Sequence, residues 1–113
     1  MHELSLAQGI VDLVESEARA QHFSKVKAVH VVVGALASVE PEALAFGFDS
    51  VARGTVADGA RLVLERPPGT AECMSCGAEV KLDSRGEPCP GCGSYQLLVT
   101  AGEELRVSDL EVE

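Results

Sequence analysis

Apolar residues recur along the start of the chain with two different periods, and the switch between them lays out the first elements. Across residues 3–22, Leu4, Ala7, Val11, Val14 and Ala18 follow the i, i+3, i+4, i+7 spacing of one helix face, with Leu6, Ile10 and Leu13 widening the stripe. Glu3 falls in the first turn, where the helix dipole favours a carboxylate, and Gly9 weakens the helix slightly. Residues 26–34, Val-Lys-Ala-Val-His-Val-Val-Val-Gly, are rich in β-branched side chains and predict a strand ending at Gly34. Glu40-Pro41 reads as a helix start with Pro41 at the first helical position, and Leu44, Phe48 and Val51 give that helix a buried stripe up to about Gly54. Residues 60–66 predict a second strand with Leu62 and Leu64 on one face. Pro67-Pro68-Gly69 closes it and marks a boundary.

Beyond the boundary the pattern shortens. Val80 and Leu82 alternate with polar residues, Asp83 to Gly86 form a turn, and Tyr95 to Val99 read as another strand. Residues 104–112 alternate again, but Leu105 and Val107 are out of phase with Leu110 and Val112, which predicts a bulge or bend near Ser108-Asp109. This last strand needs a sheet, and the short strands before it offer a poor one. Its expected partners are residues 26–34 and 60–66. The expected fold is therefore α+β: two helices packed on a small three-stranded sheet, built from residues 1–69 plus 99–113, with residues 70–98 inserted as a separate module.

Composition narrows the function. Apolar residues make up 46% of the 113-residue chain but aromatics only 4%, so the core has to be built from Val, Leu, Ala and Ile. The net charge of −9 argues against holding nucleic acid by its phosphates and suits attraction of cations or a basic partner surface. No apolar run approaches the ~18 residues of a membrane span, and the opening Met-His-Glu lacks the basic region of a secretory signal. The expectation is a cytoplasmic protein with no membrane association. No Ser/His/Asp set or Gly-rich phosphate loop points to an enzyme.

The chain's four cysteines form two matched pairs, Cys73-Met-Ser-Cys76 and Cys89-Pro-Gly-Cys92, with twelve residues between them. Each pair lets two thiolates converge on one ion from a tight turn, and Gly77 and Gly93 let the backbone turn after the second cysteine. Four thiolates at this spacing suit a closed tetrahedral zinc site, which makes the inserted module a zinc ribbon with rubredoxin-like knuckles. Rubredoxin-like iron is a rival, although the aromatic residues expected around such an iron are missing. Two disulfides or a redox pair are further rivals, disfavoured because nothing else suggests secretion and one pair would suffice for redox chemistry. A ribbon acting on nucleic acid is the alternative function. Against it, Lys81 and Arg85 face Glu72, Glu79, Asp83 and Glu87 between residues 71 and 99, a net −2, and Tyr95 alone makes no stacking platform.

Of the three histidines, His22 ends a helix, where a donor suits the last carbonyls, and His30 lies within a Val-rich strand. His2 differs by its place. The α-amine of Met1, the amide nitrogen of His2 and its imidazole close a five-membered and a six-membered chelate ring around one ion. The next amide or the Glu3 carboxylate supplies a fourth donor. In-plane nitrogen donors favour Ni²⁺ or Cu²⁺. An unpaired histidine before a helix is the plain alternative.

The opening Met1-His2-Glu3-Leu4-Ser5-Leu6, the strand end at Gly34, the helix start Glu40-Pro41-Glu42, the two cysteine pairs with Cys89-Pro-x-Cys92-Gly93, and the acidic Leu-Glu-Val close together resemble the HypA/HybF family across essentially the whole chain. That family consists of nickel metallochaperones for [NiFe]-hydrogenase maturation. The resemblance implies Ni²⁺ as transient cargo at Met1, His2 and Glu3, and structural Zn²⁺ at Cys73, Cys76, Cys89 and Cys92. Residues 1–69 plus 99–113 become the nickel-binding domain and 70–98 the zinc-binding domain. It also implies partnership with a HypB-type GTPase and the hydrogenase large subunit, with service to urease and its accessory proteins in some members. Glu40 is a further acidic residue that could approach the nickel end, although a carboxylate at a helix start needs no further explanation.

Overall fold

The computed structural model describes residues 2–113; Met1, expected at the nickel end, lies outside the described residues. Two helices and six strands follow in the order α1 (His2–Gln21), β1 (Val26–Val33), α2 (Pro41–Ala52), β2 (Arg61–Glu65), β3 (Gly69–Cys73), β4 (Glu79–Leu82), β5 (Leu97–Ala101) and β6 (Leu105–Val112). They form two three-stranded sheets, ordered β2-β1-β6 and β4-β3-β5. The chain divides into two compact units. One comprises residues 2–31, Val39–Leu64 and Val107–Glu113, the other Val32–Ser38 and Glu65–Arg106.

The first unit is the helical one. The stripe of α1 buries Ala7, Ile10, Val11, Val14 and Ala18, while α2 buries Leu44, Gly47, Phe48 and Ala52. The two helices pack on each other. A Cβ placed on Gly47 would stand 3.5 Å from Leu4 Cα and 3.6 Å from Ala7 Cβ, so the crossing point is there. The apolar stripe is wider than the face the fold covers, which leaves the Leu4 and Leu13 side chains about half exposed. The helix α1 ends where His22 adopts a left-handed φ of 60° and the Phe23 N–H donates to the Ala18 carbonyl at 3.2 Å. That is a Schellman cap with a histidine in the place usually taken by glycine. His22 thus closes the helix by its backbone conformation, not by its ring.

β1 lies at the centre of its sheet, and its burial explains its sequence. Val26, Ala28, Val29, Val31, Val32 and Val33 are all buried, so the run is almost continuously apolar, as a strand covered on both faces requires. β6 joins this sheet, as its alternation suggested, and runs unbroken from Leu105 to Val112. The expected change of phase occurs within it. Leu105 and Val107 are half-buried, and so are Ser108 and Leu110. Across this sheet His30 Nε2 on β1 meets Glu111 Oε2 on β6 at 2.6 Å, and Arg61 on β2 lies 3.8 Å from the same carboxylate. The hydrogen bond from His30 holds the Glu111 carboxyl below its ordinary pKa, helped by the charges of His30, Arg61 and Lys27.

The second unit has its own small core of Leu36, Ala71 and Leu82, with Val80, Leu97 and Val99 packed against it. β3 pairs antiparallel with both β4 and β5, its inward positions being Gly69, Ala71 and Cys73. The register shifts between Thr70 and Ala71, so β5 carries one extra residue, Thr100, whose hydroxyl meets that of Thr70 at 2.9 Å. Arg85 pins Leu36 by donating from Nε to its carbonyl at 2.8 Å, and pairs with Glu103. Backbone crowding sets the sequence here. A Cβ on Gly34 would overlap the Gly102 carbonyl, while the Gly34 N–H donates to Glu104 and the Leu36 N–H to Gly102, each at 2.8 Å. The two segments meet backbone to backbone, and only glycine fits at Gly34.

Candidate metal centre

The four cysteines converge. Their sulfurs all lie within 4.8 Å of one another, with Cys73 3.6 Å from Cys92 and Cys76 3.8 Å from Cys89. β3 delivers Cys73 at its end, the turn after it delivers Cys76, and the loop before β5 delivers Cys89 and Cys92. The two knuckles repeat the same bonds. The Gly77 N–H donates to Cys73 O and the Gly93 N–H to Cys89 O, both at 2.8 Å. The Cys73 N–H donates to Ala78 O at 2.9 Å and the Cys89 N–H to Ser94 O at 2.7 Å. Gly77 and Gly93 take φ of 77° and 80°, the left-handed turn expected of them.

Electrostatics favour a cation at the centre of the four sulfurs. The Cys76 N–H, 3.5 Å from Cys73 Sγ, is the main reason the Cys73 thiol falls from 9.0 to about 6. The N–H groups of Cys92 and Gly91 lower Cys89 in the same way. For Cys92 the Ser94 N–H favours the thiolate, but the sulfur of Cys73, burial and the sulfurs of Cys89 and Cys76 outweigh it and push the thiol up to about 12. So backbone N–H groups favour the thiolates of Cys73 and Cys89, while the neighbouring sulfurs oppose that of Cys92, a repulsion that a positive ion between them would relieve. A tetrahedral zinc with Zn–S of ~2.3 Å needs sulfurs roughly 3.8 Å apart, so this donor set fits a divalent thiophilic metal. Cys73 and Cys89 are buried; Cys76 and Cys92 are exposed.

The other expected site gathers at the start of α1. His2 is the first residue of that helix and its ring is largely exposed, with Nδ1 3.8 Å from Glu3 Oε2. Glu3 is turned toward α2: its carboxylate accepts the Glu40 N–H at 3.2 Å. That bond comes first among the causes that hold the Glu3 carboxyl below its ordinary pKa, followed by a bond from its own backbone. Glu40 in turn caps α2, its side chain accepting the Glu42 N–H at 3.1 Å, with Pro41 at the first helical turn. The Glu3 carboxylate thereby ties the start of α1 to that of α2, while the Glu40 carboxylate caps its own helix; each lies at a helix N-terminus where the dipole favours it. His22 and His30 take no part in either cluster; His22 caps a helix and His30 pairs with Glu111. Glu40 does approach this end, as its position in the sequence suggested, but through its backbone N–H and not its acidic side chain, and the bond itself, spanning 37 residues, was not legible.

Comparison with known proteins agrees over the full chain. The profile of the family described as "HypA: Hydrogenase/urease nickel incorporation, metallochaperone, hypA" matches residues 1–112. The chain is 53% identical over 113 residues to Hydrogenase maturation factor HypA 2 of Bradyrhizobium diazoefficiens, covering all of both chains. It is 54% identical, again covering all of both, to Hydrogenase maturation factor HypA of Alkalilimnicola ehrlichii. Its fold is similar to the solution structure of the Ni metallochaperone HypA from Helicobacter pylori, with a TM-score of 0.68 at 23% identity, covering 97% of this chain and 96% of that one. Among the described residues, no helix is long and apolar enough to cross a membrane.

Proposed function

Since the chain belongs to the HypA family of nickel-incorporation metallochaperones that serve hydrogenase maturation, we propose that it takes its Ni²⁺ cargo at the N-terminus, through the Met1 amine, the His2 amide and ring, and Glu3. The observation that carries this reading is the position of His2: it heads α1 with an exposed ring beside the Glu3 carboxylate. The first N–H groups of a helix have no intrahelical acceptor. The His2 amide is therefore open to losing its proton and becoming a nickel donor without breaking a helical bond. Nitrogen donors that must first deprotonate bind more weakly as pH falls, which gives the cargo site a route to release. Glu3, whose carboxylate accepts the Glu40 N–H, ties the start of α1 to α2, while the His2 ring beside it stays largely exposed and within reach of a receiving protein.

The cysteine cluster holds Zn²⁺ in a structural role on this reading. When bound, zinc supplies the charge that lets four thiolates coexist. Residues 1–69 plus 99–113 form the nickel-carrying part and 70–98 the zinc-carrying part. The chain works without catalysing a reaction, in the cytoplasm, passing nickel with a HypB-type GTPase toward the hydrogenase large subunit, and to urease accessory proteins where that enzyme is served. Nucleic acid has no part in it, in keeping with the net charge of −9. Adding one residue before Met1 tests the cargo site, because it removes the amine from the chelate while keeping every side chain. Nickel affinity should fall at least tenfold; unchanged affinity would rule out the amine as a ligand.

A further inference from the structure

The two knuckles are related by an approximate internal twofold, and one pair of side chains breaks it. Counting from the first cysteine of each pair, position +4 is Gly77 or Gly93 and donates to the first cysteine's carbonyl in both. Position +5 is Ala78 or Ser94 and accepts the first cysteine's N–H in both. Position +2 is Ser75 in one knuckle and Gly91 in the other. The Ser75 hydroxyl donates to the Ser94 hydroxyl at 2.9 Å, which joins position +2 of the first knuckle to position +5 of the second. The symmetry-related pair is Gly91 and Ala78, neither of which has a polar side chain.

Ser94 is also tied in on every side. Its hydroxyl accepts the Gln96 N–H at 3.1 Å, its carbonyl accepts the Cys89 N–H at 2.7 Å, and its own N–H favours the Cys92 thiolate. Gln96 O in turn accepts the Met74 N–H at 2.8 Å. A route of hydrogen bonds thus runs from the first knuckle through Ser75 and Ser94 to the Cys92 sulfur and the Cys89 backbone of the second. Among the described residues, no hydrogen bond joins Gly91 to Ala78 on the opposite side.

We infer that the Ser75–Ser94 hydroxyl pair is a one-sided staple that sets how slowly the four-thiolate site gives up its metal, and that the site opens from the Gly91–Ala78 side. The inference rests on the cysteine cluster holding zinc. Gly91 has no left-handed φ, and a Cβ there would meet only Cys89 Sγ, at 3.8 Å, so a side chain fits. The missing half of the symmetry can therefore be installed.

The test is zinc transfer from the zinc-loaded, full-length protein to a chromophoric chelator in excess, followed in time. Ser75→Ala should release zinc roughly two- to tenfold faster, the range that one solvent-exposed hydrogen bond supports. Ser75→Thr should restore the rate, and the double variant Gly91→Ser/Ala78→Ser should slow release below that of the wild type. Equal rates for the wild type and Ser75→Ala, or no slowing in a folded double variant, would overturn the staple. Zinc content is measured first. A wild type that binds no stoichiometric zinc would overturn the metal reading itself, and the staple with it.

Discussion

Single residues in this chain act mostly through their backbone demands, and three of them give opposite signs on substitution. Gly9 lies inside α1 with nothing within 4 Å of where a Cβ would stand. Gly9→Ala should raise stability by about 1 kcal/mol, read as an upward shift in the thermal midpoint, because it removes only the conformational freedom of the unfolded chain. His22 sits in a left-handed conformation that an L-residue adopts at a cost, so His22→Gly should also stabilise, by roughly 1 kcal/mol. Gly34 is the reverse case. Its missing Cβ leaves room for the Gly102 carbonyl, and neither backbone can move without breaking the hydrogen bonds to Glu104 and Gly102. Gly34→Ala should cost about 3 kcal/mol or more by denaturant titration. A mild effect there would mean that the junction has slack the structure does not show. The His22 cap was not legible, because nothing in Ala-Gln-His-Phe distinguishes a left-handed histidine from a last-turn one.

The elements themselves were largely written in periodicity. The stripe of α1, the valine run of β1 and the Glu-Pro start of α2 each predicted an element to within one or two residues of its observed ends. β3 was not legible. Pro67-Pro68-Gly69 reads as a break, and Thr-Ala-Glu has little strand preference of its own. What makes it a strand is pairing on both sides, with β4 and β5, and that is a tertiary fact. Leu36 joins the core of the second unit from a loop without any period, so its role too was hidden. The same holds for ties between elements. Glu3–Glu40 links α1 to the start of α2, and His30–Glu111 links β1 to β6 across 81 residues. Both carboxyls are held below their ordinary value of 4.5 in the folded protein. Their stabilising contribution is therefore complete above about pH 4.5 and is lost as pH falls through the lower folded values. Glu111→Gln should be less stable than the wild type at pH 6, and the gap should close as the pH drops below 4.5. A gap that stays constant to pH 3 would show that the carboxylate charge is not what β6 uses.

At the scale of the whole molecule, the proposed function gives one short chain two metal-binding regions with different chemistry. Four soft thiolates in a closed cluster suit an ion that stays, while an amine, an amide and an imidazole at an exposed helix start suit one that leaves. The cysteine half was legible from spacing alone, and the structure brings the four sulfurs together. The histidine half could be read only as a chelate geometry and as what the family resemblance implies, and it remains a proposal. The second unit's core cluster is small, so on the proposed reading a metal at the four cysteines adds to its stability. Stripping the metal with a strong chelator should unfold its strands while the helical signal of α1 and α2 persists. The two are separable by amide exchange protection at Ala71 and Val99 against Val11 and Val14.

The central claim is that nickel sits at the start of α1 and not among the cysteines. Calorimetric titration of Ni²⁺ into the untagged, zinc-loaded protein and its His2→Ala variant tests it most directly. With nickel at the start of α1, the wild type should show one specific nickel site, the variant none, and both one zinc per chain with an unchanged thermal midpoint. Wild-type nickel affinity in His2→Ala, or nickel binding that displaces the zinc, would contradict it.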